Sequence, residues 1–177
     1  MAIIELGGVH GVGKTTTIES AATGTNKLVP VLKGSVIMAR ILGVSTEDLP
    51  TQPAELRQAA REKMFLEINT ATNGIRDSHF CVYTDQGYEF PFTESDIGLV
   101  SVAVLLEASK ETVQKRRMQI ERNRPTDISQ IEEQLYLERL GAEQSADKLN
   151  VPLITIRNEP GDPSAQQMAE VFERYLD

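Results

Sequence analysis

The sequence predicts an α/β fold of three layers, a five-stranded, mostly parallel sheet flanked by helices. Three observations lead to it. The apolar runs Ala2 to Leu6 and Leu99 to Leu106 lack strict alternation, as strands covered on both faces do. Helical patterns separate the strand segments along the chain, which is the order that builds parallel sheets. Between the first run and the first helix lies Gly8-Val9-His10-Gly11-Val12-Gly13-Lys14-Thr15, which fits G-x-x-x-x-G-K-[ST] in strand–loop–helix order, the signature of a phosphate-binding P-loop.

The remaining elements follow from local signals. Thr23-Gly24-Thr25-Asn26 predicts a turn, and Leu28 to Leu32 a short strand that Pro30 moves toward the sheet edge. Gly34-Ser35 caps a helix over 36–42 that stops at Gly43, and Ser45 to Pro53 is a polar loop. Leu56, Ala60, Met64, Ile68, Ala71 and Ile75 recur every three or four residues, predicting one helix from Ala54 to Ile75 that ends at Asn73-Gly74. Phe80 to Thr84 is rich in strand-forming residues and leads into Asp85-Gln86-Gly87. Ser109 caps a helix carrying Lys115, Arg116 and Arg117, and Ser129-Gln130-Ile131-Glu132 is a capping box for another that runs to about Leu149. Pro152 to Ile156 is the last strand, and Asp162-Pro163 opens a final helix with Met168, Val171, Phe172 and Tyr175.

Composition narrows the function. A chain of 177 residues is expected to form one domain. A net charge of −8 argues against nucleic acid as the main partner. The single cysteine, Cys81, cannot form an internal disulfide and is expected in the core, which suits a reducing cytoplasm. No membrane span or signal peptide is expected.

The chemistry centres on the loop. Its glycines let backbone N–H groups turn toward a phosphate, Lys14 reaches the β- and γ-phosphates of a nucleoside triphosphate, and the Thr15 hydroxyl suits Mg²⁺. Thr16 continues into a helix whose positive end faces the anion. Ligands of such sheets sit beyond the carboxyl ends of the strands, which puts Asp85 on the same rim as a second Mg²⁺ ligand or an acceptor contact. Lys115, Arg116, Arg117, Arg122 and Arg124 form a basic cluster in an acidic chain, the charge that phosphoryl transfer requires. Arg40 is expected near the acceptor, whereas Arg57 and Arg61 are expected to pair with Glu55, Glu62 or Glu67 on the surface. His10 and His79 have no partner that suggests a metal or a triad. A nucleoside or other hydroxyl acceptor would need a base, for which Asp85 is available. A guanine-nucleotide switch is disfavoured, since Asn26-Lys27-Leu28-Val29 lacks the final Asp of Asn-Lys-x-Asp.

The order of these features resembles the archaeal-type adenylate kinases, within the nucleoside monophosphate kinase group, over nearly the whole chain. The resemblance rests on the loop, Gly34-Ser35-Val36-Ile37-Met38, the strand ending at Asp85, Arg116-Arg117, Arg122-Asn123-Arg124, Arg139 and Ile156-Arg157-Asn158. It implies a single kinase domain over 1–177, with an acceptor-binding segment over about 34–75 and a lid over about 115–128. The implied reaction is ATP + AMP to 2 ADP, with the nucleoside monophosphate as substrate partner. Gly8, Gly11, Val12, Gly13, Lys14, Thr15 and Thr16 would hold the donor phosphates and Mg²⁺, and the loop around Asn158 the adenine. Arg116, Arg122 and Arg124 would close over them, Arg139 would reach the transferring group, and the helix from Ser35 to Arg40 would receive the monophosphate. The family also tends to form homo-oligomers. Two departures are expected: the family often has Asp-x-His after the third strand, where this sequence would have Thr84-Asp85-Gln86-Gly87, and the lid segment is short, with Arg124 followed by Pro125.

Overall fold

The computed structural model describes residues 2–25, 29–68, 73–84, 87–92, 96–119 and 124–176. Along the chain come β1 (Ala2–Gly7), α1 (Lys14–Thr25), β2 (Val31–Lys33), α2 (Gly34–Leu42), α3 (Ala54–Ile68), β3 (Asn73–Asp77), β4 (Val82–Thr84) and β5 (Gly87–Glu89). They are followed by β6 (Val100–Glu107), α4 (Lys110–Met118), α5 (Ile128–Leu149), β7 (Leu153–Arg157) and α6 (Ser164–Tyr175). Five strands form one sheet in the order β2-β3-β1-β6-β7, with every neighbouring pair parallel. The predicted α/β three-layer fold is therefore present. β1 is flanked by β3 on one side and β6 on the other, so the chain reverses its direction of winding there, and the crevice beyond β1 is where such sheets bind ligands.

Alternation along β1 assigns the two helical layers. Ile4 and Leu6 face Ile18 and Ala21 of α1 and Met168 and Phe172 of α6. Ile3 packs on the other face with Met38 of α2 and Ala60, Met64, Phe65 and Ile68 of α3. Farther along that sheet, Ala103 and Leu105 meet Phe80, Phe92 and the α5 residues Ala142, Ala146 and Leu149. No helix among the described residues is long and apolar enough to cross a membrane.

The structure corrects several local expectations. The helix predicted over 54–75 is two elements, since α3 stops at Ile68 and 73–77 is the strand β3, buried beside β1. Gly74 is therefore no helix stop: it lies against β2's approach, where a Cβ would stand 2.9 Å from the Pro30 carbonyl oxygen. Ile75 N–H donates to that same carbonyl at 2.9 Å, which requires the close approach. Leu56, assigned to the apolar face, is exposed. The strand expected at 80–84 shrinks to β4, which pairs antiparallel with β5 in a separate hairpin and takes no place in the main sheet. Two caps move as well. Asp127, not Ser129, caps α5 by accepting from Ser129 N–H and Gln130 N–H, and α2 begins at Gly34 without a side-chain cap. Asp162 does not cap α6 but accepts from Glu159 N–H at 2.9 Å. Thr23-Gly24-Thr25 stays within α1, while Asn26 lies outside the described residues.

A charge network sits inside the sheet. Glu5 of β1 is opposite Arg76 of β3 and is fully buried. Arg76 donates to Glu5 and, at 2.7 Å, to the buried Asp96, with the rings of Phe65 and Phe92 at 5.1 and 5.4 Å. Ser78 Oγ donates to the other oxygen of Glu5. Burial pushes the Glu5 carboxyl up to about 7, against the charge of Arg76 and the Ser78 hydrogen bond.

Two predictions follow from this network. Arg76→Met strands two buried carboxylates and is expected to cost about 3–5 kcal/mol in urea denaturation at pH 7, with part recovered at pH 5; an unaltered midpoint would refute it. Glu5 in the folded state binds its proton more tightly than in the unfolded chain, so its contribution is complete below about pH 4.5 and fades as pH rises through about 7. Glu5→Gln should remove that decline from a plot of unfolding free energy against pH.

Candidate active site

The site begins where β1 ends. Gly8, Gly11 and Gly13 hold φ of 144°, 89° and 100°, values that turn successive backbone N–H groups to one side. Val9 and Val12 are buried and pin the loop to the core from below. Lys14 opens α1; its Nζ donates to the Gly8 carbonyl at 2.5 Å and stands 3.7 Å from Asp77 Oδ1. Burial lowers the lysine's affinity for its proton, while Asp77, Glu138 and Glu5 act the other way. Thr15 and Thr16 are exposed at the same helix end.

The opposite wall comes from α4 and the loop after β7. The Val12 carbonyl accepts from Arg116 Nη1 and from Asn158 Nδ2, both at 2.7 Å. Arg116 Nη2 also donates to the Asn158 carbonyl at 2.9 Å. Asn158 is itself held, since its N–H donates to the Glu107 carbonyl at 2.7 Å and its Oδ1 accepts from Ser164 Oγ at 2.7 Å. Arg117 is buried and donates to the carbonyls of His10 and Pro125, each at 2.8 Å, and to Gln134 at 2.9 Å. Ser109 caps α4 as predicted, and the Glu159 carboxylate receives Ser109 N–H and Thr112 Oγ1, tying the β7 loop to the start of that helix.

Glu138 of α5 joins the two sides. Its Oε1 accepts from Gly8 N–H at 2.7 Å and Phe80 N–H at 2.9 Å, and its Oε2 from Cys81 N–H at 3.0 Å. Burial works to raise its pKa, but the imidazole of His79 at 3.7 Å, the charge of Lys14 and the Phe80 N–H together hold it below the usual carboxylate range. The His79 ring in turn lies against that of His10 of the loop, tilted by 60° with centroids 4.4 Å apart. Cys81 is half-buried beside this cluster rather than in the core, and burial pushes its thiol up to about 11.

Of the residues singled out from the sequence, Gly8, Gly11, Val12, Gly13, Lys14, Arg116 and Asn158 meet around one loop, with Thr15 and Thr16 on its helix. Arg124 is exposed, close enough that its charge disfavours protonation of His10 and Arg117. Arg139 is exposed at the rim and forks onto Glu107 at 2.8 and 3.1 Å. Ser35 lies exposed in the first turn of α2, and Arg40 pairs with Glu67 of α3 at the surface. Arg122 and Asp85 lie outside the described residues. The carboxylate at the carboxyl end of β3 is Asp77, whose strand had been merged into a helix. The segment there reads Asp77-Ser78-His79, so the Asp-x-His pattern is present after the third strand of the sheet.

Arg57 and Arg61 are not surface residues paired with Glu55, Glu62 or Glu67. Arg57 is buried, donating to the Pro50 and Gln52 carbonyls and pairing with Glu89, and its buried Nε has no hydrogen-bond partner among the described residues. Arg61 is half-buried and donates to Gln58 at 3.1 Å. Burial lowers its pKa, with Glu89 and Asp96 opposing. Their spacing of four along α3 fitted a solvated stripe, and only the hairpin β4–β5, folded over them, turns that face inward.

Residues 7–134 match a family model described as the AAA domain. The chain belongs to the AAA domain family. No curated protein matches it at a significant level. Among solved structures, a shikimate kinase from Bacteroides thetaiotaomicron aligns over 97% of this chain and 98% of its own, with TM-score 0.62 and 18% identity. The YorR protein of Bacillus subtilis, solved with phosphorylated GDP, aligns over 98% and 94%, with TM-score 0.60 and 17% identity. A shikimate kinase from Acinetobacter baumannii in complex with shikimate aligns over 100% and 96%, with TM-score 0.59 and 14% identity. Likeness at this identity shows a shared fold, that of the P-loop kinases, for this AAA domain chain.

Glu138 gives the site its own test. Glu138→Ala leaves three backbone N–H groups unsatisfied and is expected to cost about 3 kcal/mol or more in denaturant unfolding. Glu138→Gln should cost less, because one amide oxygen can keep the Gly8 and Phe80 pair. Equal losses in the two variants would contradict this account.

Proposed function

We propose that this chain moves the γ-phosphoryl group of ATP to a nucleoside monophosphate, AMP in the first instance. The observation that carries the proposal is convergence on one loop: Lys14 stands 3.7 Å from Asp77 while Arg116 and Arg117 reach the loop's own carbonyls from α4. The donor phosphates would lie along the N–H groups of Gly8 to Thr15, and Lys14 would exchange the Gly8 carbonyl for phosphate oxygens. The Thr15 hydroxyl and the Asp77 carboxylate offer the hard oxygen donors that Mg²⁺ takes alongside substrate phosphates. Bound there, Mg²⁺ would offset charge on the donor. A phosphate oxygen of AMP would bond to the γ-phosphorus as the β–γ bridging bond breaks, leaving two molecules of ADP. The acceptor, already ionised near neutral pH, requires no base. Positioning and positive charge from Lys14, Arg116, Arg122, Arg124 and Arg139 would supply the rate.

On the acceptor side we assign Arg61 rather than Arg40. Arg61 is half-buried, hydrogen-bonded to the neutral Gln58 and under the charges of Glu89 and Asp96, whereas Arg40 is exposed and already paired with Glu67. Asp77-Ser78-His79 after β3 supports the adenylate kinase reading, because the resemblance expects that pattern there. The same Asp77 supports a second reading, a small hydroxyl acceptor whose proton the carboxylate would take. Two shikimate kinases share the fold, which makes that alternative worth testing.

Purified protein with Mg-ATP should form ADP with AMP, and less readily with other nucleoside monophosphates. Lys14→Ala should abolish turnover, and Arg116→Ala should slow it about 100-fold or more. Arg61→Ala should raise KM for AMP and leave KM for ATP in place. Transfer to shikimate or another hydroxyl compound, with none to AMP, would establish the second reading instead. ATP hydrolysis without transfer to any acceptor would sink both.

A further inference from the structure

His10 has no task in the scheme above, and its surroundings are unusual. Its carbonyl is fixed by Arg117, but its ring nitrogens have no hydrogen-bond partner among the described residues, and the residue is exposed on the loop between Gly8 and Gly11. The groups facing the ring come from four elements: Lys14 of α1, Arg117 of α4, Arg124 in the segment after it, and His79 in the segment after β3. Glu138 of α5 lies 3.7 Å from the Nδ1 of His79. Partial burial, then His79 and the three cations, hold His10 well below the ordinary histidine range, so it is neutral in the empty loop. A triphosphate bound in this loop brings several negative charges to the same three cations. The share of that depression due to the three cations is thereby offset, while the share due to burial stays.

We propose that His10 takes a proton from solvent as the triphosphate enters the loop and donates a hydrogen bond to it, so that nucleotide binding is linked to proton uptake. The proton returns to solvent when the nucleotide leaves. The inference rests on the donor-site reading above and adds a proton-linked ligand contact to it. It makes donor affinity fall as pH rises, in the range where free phosphates themselves are already fully ionised.

The experiment is calorimetric titration of the protein with the Mg²⁺ complex of a non-hydrolysable ATP analogue at pH 7.5, in two buffers of different ionisation enthalpy. Proton uptake on binding is expected, one per nucleotide at most, and His10→Asn should remove it while still binding. Should that variant fail to fold, proton NMR of the wild type decides. The chain has only two histidines, and the C2–H resonance of one should move to the imidazolium position on nucleotide addition. His79→Asn identifies which signal is His10. Binding with no uptake, with uptake unchanged in His10→Asn, or with the His10 resonance fixed overturns the inference and leaves the donor site standing. No binding at all overturns the donor site and the inference together.

Discussion

The carboxylate of Glu138 satisfies Gly8, Phe80 and Cys81, three backbone donors from two loops that approach each other only in the folded chain. Without it, the start of the phosphate-binding loop and the segment leaving β3 would present buried N–H groups to nothing. Such groups are costly, so the carboxylate fixes the separation of the two loops and with it the placing of Lys14 against Asp77. Gly141, one turn farther along α5, has its Cα against the Phe80 carbonyl, and that contact is what brings the helix close enough for Glu138 to reach. The rest of the site hangs on this clamp.

Charge in the molecule is sorted by depth. Arg76, Glu5 and Asp96 neutralise one another inside the sheet, where an isolated member would be untenable. Above them, Lys14, Arg116 and Arg117 are occupied with backbone carbonyls of the loop itself. The empty loop is thus already ordered by the cations that a phosphate chain would claim. An anion entering there exchanges partners instead of recruiting them, which is the preorganisation that electrostatic stabilisation of transfer depends on.

The parts of this arrangement legible in the sequence are those whose cause is local. The loop announces itself because glycines, lysine and threonine must stand at fixed spacing, and β1 and β6 because strands buried on both faces are apolar throughout. The helix over 54–75 failed for a physical reason. Ile75 falls at helical spacing after Ile68, and Asn73-Gly74 resembles a helix stop, while the true role of Gly74 is to admit the carbonyl of Pro30, the residue just before β2. That spacing conceals β3, and with it Asp77, and points to Asp85 as the rim carboxylate. Glu138 was silent for the same kind of reason, since its partner Gly8 lies 130 residues away and nothing in a helical Glu-Arg pair marks one member as buried. Arg57 and Arg61 changed sides because the β4–β5 hairpin covers a face that α3 alone would leave wet.

Adjacent residues of α5 reach two different strands' ends. Glu138 binds the residue after β1, and Arg139 forks onto Glu107, the last residue of β6. A helix turns about 100° per residue, so a single insertion or deletion between Asp127 and Glu138 would swing both anchors off their targets at once. The first eleven residues of α5, Ile128 to Glu138, thus form a ruler whose count is held constant by chemistry at its far end.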